Sequence, residues 1–472
     1  MNKPKLFLEN FIVYGFGSVI SKIIPFLLVP IATRIMPDSS YYGISDMSDT
    51  IVSFCSAFAI MGMYDAMYRL FFDKEDVQYK RRVCSTAFLF TMITSFILFI
   101  LMILFRSIIA DSFMGNKKYS YIIYITAMAT LVGATNSIVS APTRMENKRK
   151  TYILINTLSS VISFSIAIPL LLKGYYFIAL PISSALAALS CEIMYFCLNK
   201  KWFSYSLFDF GILKELLKIG IPLVPNFIIY WLFNSCDKIM ILHLINDSAM
   251  GIYSTGAKIG MTSQLIYMAF AGGWQYFAFS TMNEKEQTEN NSKVFEYLGV
   301  ISFGLFTLVT AIIPLLFRFI FTEEYYKGYI VVPYLFIAPL LQMLFQIACN
   351  QFLVIKRTYP NLVILSGGVA VNLVLNYVLI PKIGIEGAAI ATVMGYIVSD
   401  IVVVLILIKM KLMVIHSRFV WITLGCVFYF LIWRFLLRDY IVLSTLISLL
   451  FILVLLRIYK SDLYMLIKSI KE

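Results

Sequence analysis

The sequence predicts an all-α polytopic membrane protein of about 14 transmembrane helices, built as two parallel six-helix repeats plus two C-terminal helices. Three observations predict it: composition, the length of the apolar stretches, and weak self-similarity at a fixed shift. Of 472 residues, 60% are hydrophobic and 14% charged, too apolar for a soluble chain of this length to hide. Stretches of about 20 residues, enough to cross a hydrocarbon core as helices, recur along the whole chain.

In order, the first half holds spans near 10–35, 43–71, 84–108, 119–141, 151–172 and 175–198. The second holds 219–243, 250–278, 295–320, 328–354, 359–380 and 385–408, followed by 419–437 and 439–457. Against itself at a shift of 207 to 210 residues, the chain shows matches in the same order. Ile35-Met36-Pro37-Asp38-Ser39 pairs with Leu244-Ile245-Asn246-Asp247-Ser248, Gly43-Ile44 with Gly251-Ile252, and Glu192 with Asp400. Six spans per repeat is an even number, so both halves enter the membrane in the same direction, and a cleft between them is expected. The division is 1–198 for the N-terminal lobe, 199–218 for a cytoplasmic linker, 219–410 for the C-terminal lobe, and 411–472 for two extra spans and a tail. In the linker, Phe208, Phe210, Leu213, Leu216 and Leu217 alternate with Lys214, Glu215 and Lys218, the pattern of an amphipathic helix on the inner surface. The two extra spans read as peripheral, without interior charge.

A net charge of +13 would suggest nucleic acid for a soluble protein, but here it follows the positive-inside rule. Lys80-Arg81-Arg82, Lys148-Arg149-Lys150 and Lys200-Lys201 mark the cytoplasmic side, and both termini are expected there. No nucleic-acid partner is implied. The seven cysteines form no CxxC and read as small apolar residues. The first apolar run lacks a cleavage signature and is expected to stay as the first span.

Five basic residues, Lys22, Arg34, Arg69, Lys238 and Lys258, read as lying inside long apolar segments. A charge at the centre of a span costs roughly 2.5–3.5 kcal/mol, so such residues face protein or water rather than lipid. Arg34 lies at the outer end of its span. Arg69 follows Asp65 by four residues, a spacing that favours a local ion pair. The three lysines sit deeper, on polar stripes of fourfold spacing: Tyr14, Ser18 and Lys22; Asn226, Tyr230, Asn234 and Lys238; Ser254, Lys258 and Thr262. A cationic cleft of Lys22, Lys238, Lys258, Asn234, Tyr230 and Ser18 suits a phosphate or pyrophosphate.

Asp46, Asp49, Glu192 and Asp400 are intramembrane acids, candidates either for ion coupling or for pairing with the lysines. Pro25 and Pro30 in the first span and Pro222 and Pro225 in the seventh permit bends that would suit gates. Tyr230, Trp231, Trp274 and Tyr276 are candidates for stacking on sugar rings, against the commoner role of anchoring helices. Catalytic patterns are absent. The run Gly251 to Lys258 imitates a phosphate loop without its strand, and His243 and His416 are not grouped with other ligands, so neither cofactor nor metal is expected.

The segment from Ala32-Thr33-Arg34-Ile35-Met36-Pro37 through Tyr42-Gly43-Ile44-Ser45-Asp46-Met47 to Gly62-Met63-Tyr64-Asp65-Ala66-Met67-Tyr68-Arg69 resembles the polysaccharide-repeat-unit flippases. So do Asn234-Ser235-Cys236-Asp237-Lys238 and Gly384-Ile385-Glu386-Gly387-Ala388-Ala389. That family belongs to the multidrug/oligosaccharidyl-lipid/polysaccharide exporter superfamily (MOP), whose MATE-like fold the resemblance implies. It also implies a non-enzymatic flippase. Such a protein carries an undecaprenyl-pyrophosphate-linked oligosaccharide, an O-antigen or capsule unit, to the outer leaflet of a bacterial cytoplasmic membrane. A cation gradient would drive it, and a polysaccharide polymerase is the expected protein partner. The alternatives are a peptidoglycan-precursor flippase, a multidrug or cation antiporter of the same superfamily, and a membrane polymerase or ligase. The antiporter fits poorly with cleft lysines, and the polymerase with outside loops this short.

Overall fold

In a computed structural model, the described residues are 24–268, 287–355, 359–462 and 464. Among them every regular element is helical. Eleven helices are long and apolar enough to cross a membrane, and a twelfth span results if Ser39–Ile60 and Met63–Phe71 are one bent helix. The other two expected spans, 10–35 and 250–278, lie partly outside the described residues. The chain is a multi-pass membrane protein. It divides into two compact units, Met1–Ser254 with Asn376–Ile385, and Thr255–Leu375 with Glu386–Glu472.

The first unit is an α-helical bundle. It opens with α1 (Ile24–Ile35), α2 (Ser39–Ile60) and α3 (Met63–Phe71). Asp38 caps α2, its carboxylate accepting from the Ser40 amide at 2.7 Å. Met61 and Gly62, with φ of 47° and 72°, then break the run, and the chain turns by 47° into α3. Gly62 is there because of space as well as angle: a Cβ on it would lie 2.4 Å from the Gly220 carbonyl oxygen.

The long helices α4 (Val77–Leu104), α6 (Ser120–Met145), α7 (Arg149–Leu172) and α8 (Tyr176–Asn199) follow, with the short α5 (Arg106–Met114) between the first two. The linker forms the expected helix, α9 (Phe210–Gly220), capped by Asp209 through the Gly211 and Ile212 amides. Its buried residues, Ile212 and Leu216, join a core with Met67, Leu70, Phe71 and Val83. Each such apolar side chain contributes roughly 1.5–3 kcal/mol. A short 3-10 turn leads directly into α10 (Val224–Leu244), and α11 (Asp247–Gly260) begins beyond it.

The segments matched by the internal comparison lie side by side. α2 begins at Ser39 and α11 at Asp247. Ser39 Oγ donates to the Ser248 carbonyl at 3.2 Å, and Ser248 Oγ donates to Asp38 Oδ1 at 3.2 Å. Gly43 and Gly251 cross so closely that a Cβ on Gly251 would sit 1.9 Å from the Ser39 carbonyl oxygen. The two matched segments therefore touch each other.

The second unit contains α12 (Gln287–Ile320), α13 (Val332–Val354), α14 (Tyr359–Ile383), α15 (Ile385–Lys409), α16 (Ser417–Ile432) and α17 (Ile441–Ile458). The last part of α14, from Asn376, belongs to the first unit. Inside the second unit lies an apolar cavity of about 740 Å³, with Phe303, Leu344, Ile397, Phe419 and Phe430 in its walls. The helix α16, in the expected span 13, thus forms one side of this cavity and is more than a peripheral addition.

Span 13 also corrects the reading that it carries no interior charge. Arg434 lies within the π-helical stretch Trp433–Leu437 that ends it, and its guanidinium meets Glu386 at 2.6 and 3.1 Å. Tyr334 donates to the same carboxylate at 2.7 Å. A two-pronged guanidinium contact of this kind lets a charge reside in a span whose apolar run conceals it.

Candidate functional site

Two polar clusters of the first unit involve α2, α10 and α11. α2 buries Asp46, and α10 presents Lys238, whose Nζ lies 2.6 Å from Asp46 Oδ2. The Asp46 side chain is 2% exposed and that of Lys238 13%, so this is a buried ion pair joining the second and seventh spans. The expected cation of span 7 is therefore committed to an acid. Next to it in sequence, Asp237 faces elsewhere, as successive helical residues must. Tyr253 donates to its Oδ2 at 2.6 Å and Asn376 Nδ2 to its Oδ1 at 2.8 Å.

Sequence reasoning missed this second cluster. The partners of Asp237 lie 16 and 139 residues away, beyond any helical spacing. A buried tyrosine and asparagine in otherwise apolar spans were the available signal. The missed Arg434–Glu386 pair is of the same kind, and so is a group around Glu296 in the second unit. There Arg418 Nε lies 2.6 Å, His416 Nδ1 2.7 Å and Tyr459 Oη 2.5 Å from the buried carboxylate.

Lys258 is exposed on α11, with Ala257 and Ile259 buried on either side. Asn234 is exposed and donates to the Tyr230 carbonyl of its own helix at 2.7 Å, and Tyr230 is half-buried. Trp231 packs 4.4 Å from the Phe54 ring, and its indole donates to the Thr50 carbonyl at 3.2 Å. Ser18 and Lys22, like Trp274 and Tyr276, lie outside the described residues.

Among the acids, Asp49 is exposed and Glu192 half-buried. Both Asp400 carboxylate oxygens are inaccessible and have no hydrogen-bond partner among the described residues. Of the prolines, Pro25 and Pro30 belong to α1. Pro222 lies in the turn Ile221–Leu223 and Pro225 in the first turn of α10, where a missing amide costs the helix little.

Arg69 corrects another expectation. Its Nε lies 3.8 Å from Asp73 Oδ1, four residues onward, in place of the expected pair with Asp65 four residues back. Both orders satisfy helical spacing, and the end of α3 supplies an acid on the exposed side. Among the described residues no group of three His, Cys, Asp or Glu is arranged to hold a metal ion.

Residues 31–328 match the family model described as polysaccharide biosynthesis protein. The chain belongs to that family. In structure it is similar to a lipid II flippase MurJ in an inward closed conformation, with a TM-score of 0.72 and 17% identity over 96% of this chain and 100% of that one. It is also similar to an inward-facing multidrug resistance MATE transporter of the MOP superfamily, with a TM-score of 0.59 and 14% identity over 85% and 94%. A third similar structure is a MOP superfamily transporter from Pyrococcus furiosus Vc1, with a TM-score of 0.58 and 14% identity over 86% and 95%. The fold is thus the MurJ and MATE fold of the MOP superfamily. No curated protein sequence matches the chain.

Proposed function

We propose that this protein is a flippase moving an undecaprenyl-pyrophosphate-linked oligosaccharide, an O-antigen, capsule or similar repeat unit, from the inner to the outer leaflet of a bacterial cytoplasmic membrane. In this reading both termini are cytoplasmic, and the halves 1–198 and 219–410 alternate around a shared cleft. The linker 199–218 joins them, and 411–472 completes the membrane domain. Pro25 and Pro30 of α1, with Pro222 and Pro225 at the entry to α10, are the proposed gating positions.

The observation that carries the reading is the buried Lys238–Asp46 pair. A buried ammonium held by a carboxylate can exchange that partner for a pyrophosphate. The exchange frees Asp46, one of the positions where a coupling cation can bind, and a cation gradient is the energy source in this reading. Lys22 and Lys258 complete the anion site, with Ser18, Tyr230 and Asn234 as neutral hydrogen-bonding groups. Asp49, Glu192 and Asp400 are further positions for the coupling ion.

The family description favours a polysaccharide unit over a peptidoglycan precursor, and lysines favour an anion over the cations of a multidrug exporter. The reading requires no catalysis and no cofactor. Its partners are the lipid-linked oligosaccharide, membrane lipids and a polysaccharide polymerase. Replacing Lys22, Lys238 and Lys258 singly by alanine is expected to leave lipid-linked oligosaccharide accumulating on the cytoplasmic face while the protein still reaches the membrane. Normal surface polysaccharide in all three variants would contradict these roles.

A further inference from the structure

The helix α3 carries a face unlike the outward face of the next membrane span, α4. On α4 the exposed residues include Ile93, Phe96, Ile97 and Ile100, the aliphatic and aromatic surface that lipid requires. α3 buries Met63, Ala66, Met67 and Leu70, and on its other side exposes Asp65 and Arg69. Charges within a span face water or protein rather than acyl chains, so this side is wet.

Aromatic rings line it at intervals of four residues. Tyr64 and Tyr68 have ring centroids 6.0 Å apart, and Tyr68 and Phe72 5.6 Å. Both tyrosines are half-buried, while Phe72, at the C-cap of α3, is 58% exposed. Arg144, from the end of α6, donates to the Tyr64 hydroxyl at 2.7 Å, and its guanidinium lies over the Tyr64 and Tyr152 rings at 6.0 and 5.4 Å. Asp65 is within electrostatic reach of Arg144.

Tyr64 and Tyr68 also pack against the core that holds Met67 and Leu70, while Phe72 is left open beside water, where a flat amphipathic group can cover it. A pyranose is such a group: its C–H face stacks on the ring, and its hydroxyls donate to a carboxylate or accept from a guanidinium. The cluster lies beside the first turns of α4 and α7, where Lys80-Arg81-Arg82 and Lys148-Arg149-Lys150 stand, on the side that the positive-inside rule assigns to the cytoplasm.

We propose that Tyr64, Tyr68 and Phe72, with Asp65 and Arg144, form a glycan-binding subsite at the loading end of the protein, which holds the first sugars of the lipid-linked substrate before the headgroup enters. The inference rests on the flippase reading and extends it from the anion to the saccharide. It explains why the rings recur every fourth residue on a charged face.

The test is equilibrium binding to the purified full chain in nanodiscs. The probes are undecaprenyl pyrophosphate and the same lipid bearing one N-acetylhexosamine. The wild-type chain is expected to bind the glycosylated lipid roughly tenfold more tightly. Tyr68→Ala and Phe72→Ala should abolish that preference and leave affinity for the bare lipid within about twofold, while Tyr68→Phe, which keeps the ring, retains it. Should Tyr68→Ala lose the bare lipid too, the exposed Phe72→Ala variant decides the matter. A wild-type chain without preference, or a preference unchanged in Phe72→Ala, overturns the subsite alone. Failure of both lipids to bind the wild-type chain refutes the flippase reading, and the subsite with it.

Discussion

At the scale of single residues, the Lys238–Asp46 pair is the most consequential contact. Removing one member of a buried pair leaves the other charge in a dry place, which typically costs about 3–5 kcal/mol. Asp46→Asn and Lys238→Ala should each lower the unfolding temperature in detergent markedly. The double variant Asp46→Leu with Lys238→Met should recover most of the loss; a double variant as unstable as the singles would mean that the pair is not the unit of stability. Lys238 was legible because an ammonium in an apolar run stands out. Its partner was not: Asp46 lies 192 residues from Lys238, and no helical spacing connects them.

Outside the spans, Glu146 binds Lys148 and Lys201, each at 2.5 Å, and accepts from the Trp202 indole at 3.1 Å. Burial alone would raise its carboxyl, but the hydrogen bonds and charges of the two lysines outweigh that and hold it below the usual glutamate value of 4.5. A depressed carboxyl contributes stability that is fully present above its unfolded value and is lost as pH falls through the lowered folded value. Melting temperature should therefore fall on acidification below about pH 4.3 more steeply in the wild-type chain than in Glu146→Gln. Parallel profiles would show that the lysines do not bind this group in solution.

At the scale of elements, the decisive joint is the meeting of Gly62 with Gly220. One ends the break in the second span, and the other ends the amphipathic helix α9. Gly62→Ala forces a left-handed φ on a residue with a side chain, costing about 1–2 kcal/mol, and drives its Cβ into the Gly220 backbone. Reduced yield and thermal stability are expected. Gly174→Ala is the comparison: its φ of +86° carries the same angular strain, but nothing lies within 4 Å of the added Cβ. Equal losses in the two variants would assign the effect to the backbone angle and leave the contact with Gly220 without a role.

The existence of α9 was legible from alternating apolar and charged residues. Its docking partners, α3 and α4, were not, because an amphipathic pattern says which side is buried and not against what. For the same reason the break at Met61 escaped notice inside a continuous apolar run. A single glycine does not distinguish a kink from an ordinary helical position.

At the scale of the molecule, composition and span length made the all-helical membrane architecture plain, since nothing else accommodates 60% hydrophobic residues. The duplication was legible through loop-end residues such as Asp38-Ser39 and Asp247-Ser248, which turn out to touch. The polar groups of the second unit were harder to read. Glu296, His416, Arg418 and Tyr459 come together across more than 100 residues of sequence, and Arg434 hid at the end of a long apolar run.

The central claim is that an intramembrane lysine, held by an acid, exchanges that acid for a pyrophosphate as the lipid crosses. The direct measurement is the rate at which a fluorescent undecaprenyl-pyrophosphate saccharide moves between leaflets of vesicles containing the protein, read by quencher access under an imposed cation gradient. Wild-type protein should accelerate movement and respond to the gradient; Lys238→Ala should lose transport, and Asp46→Asn should lose only the response to the gradient. Movement no faster than in protein-free vesicles, or equally fast in Lys238→Ala, would contradict the account.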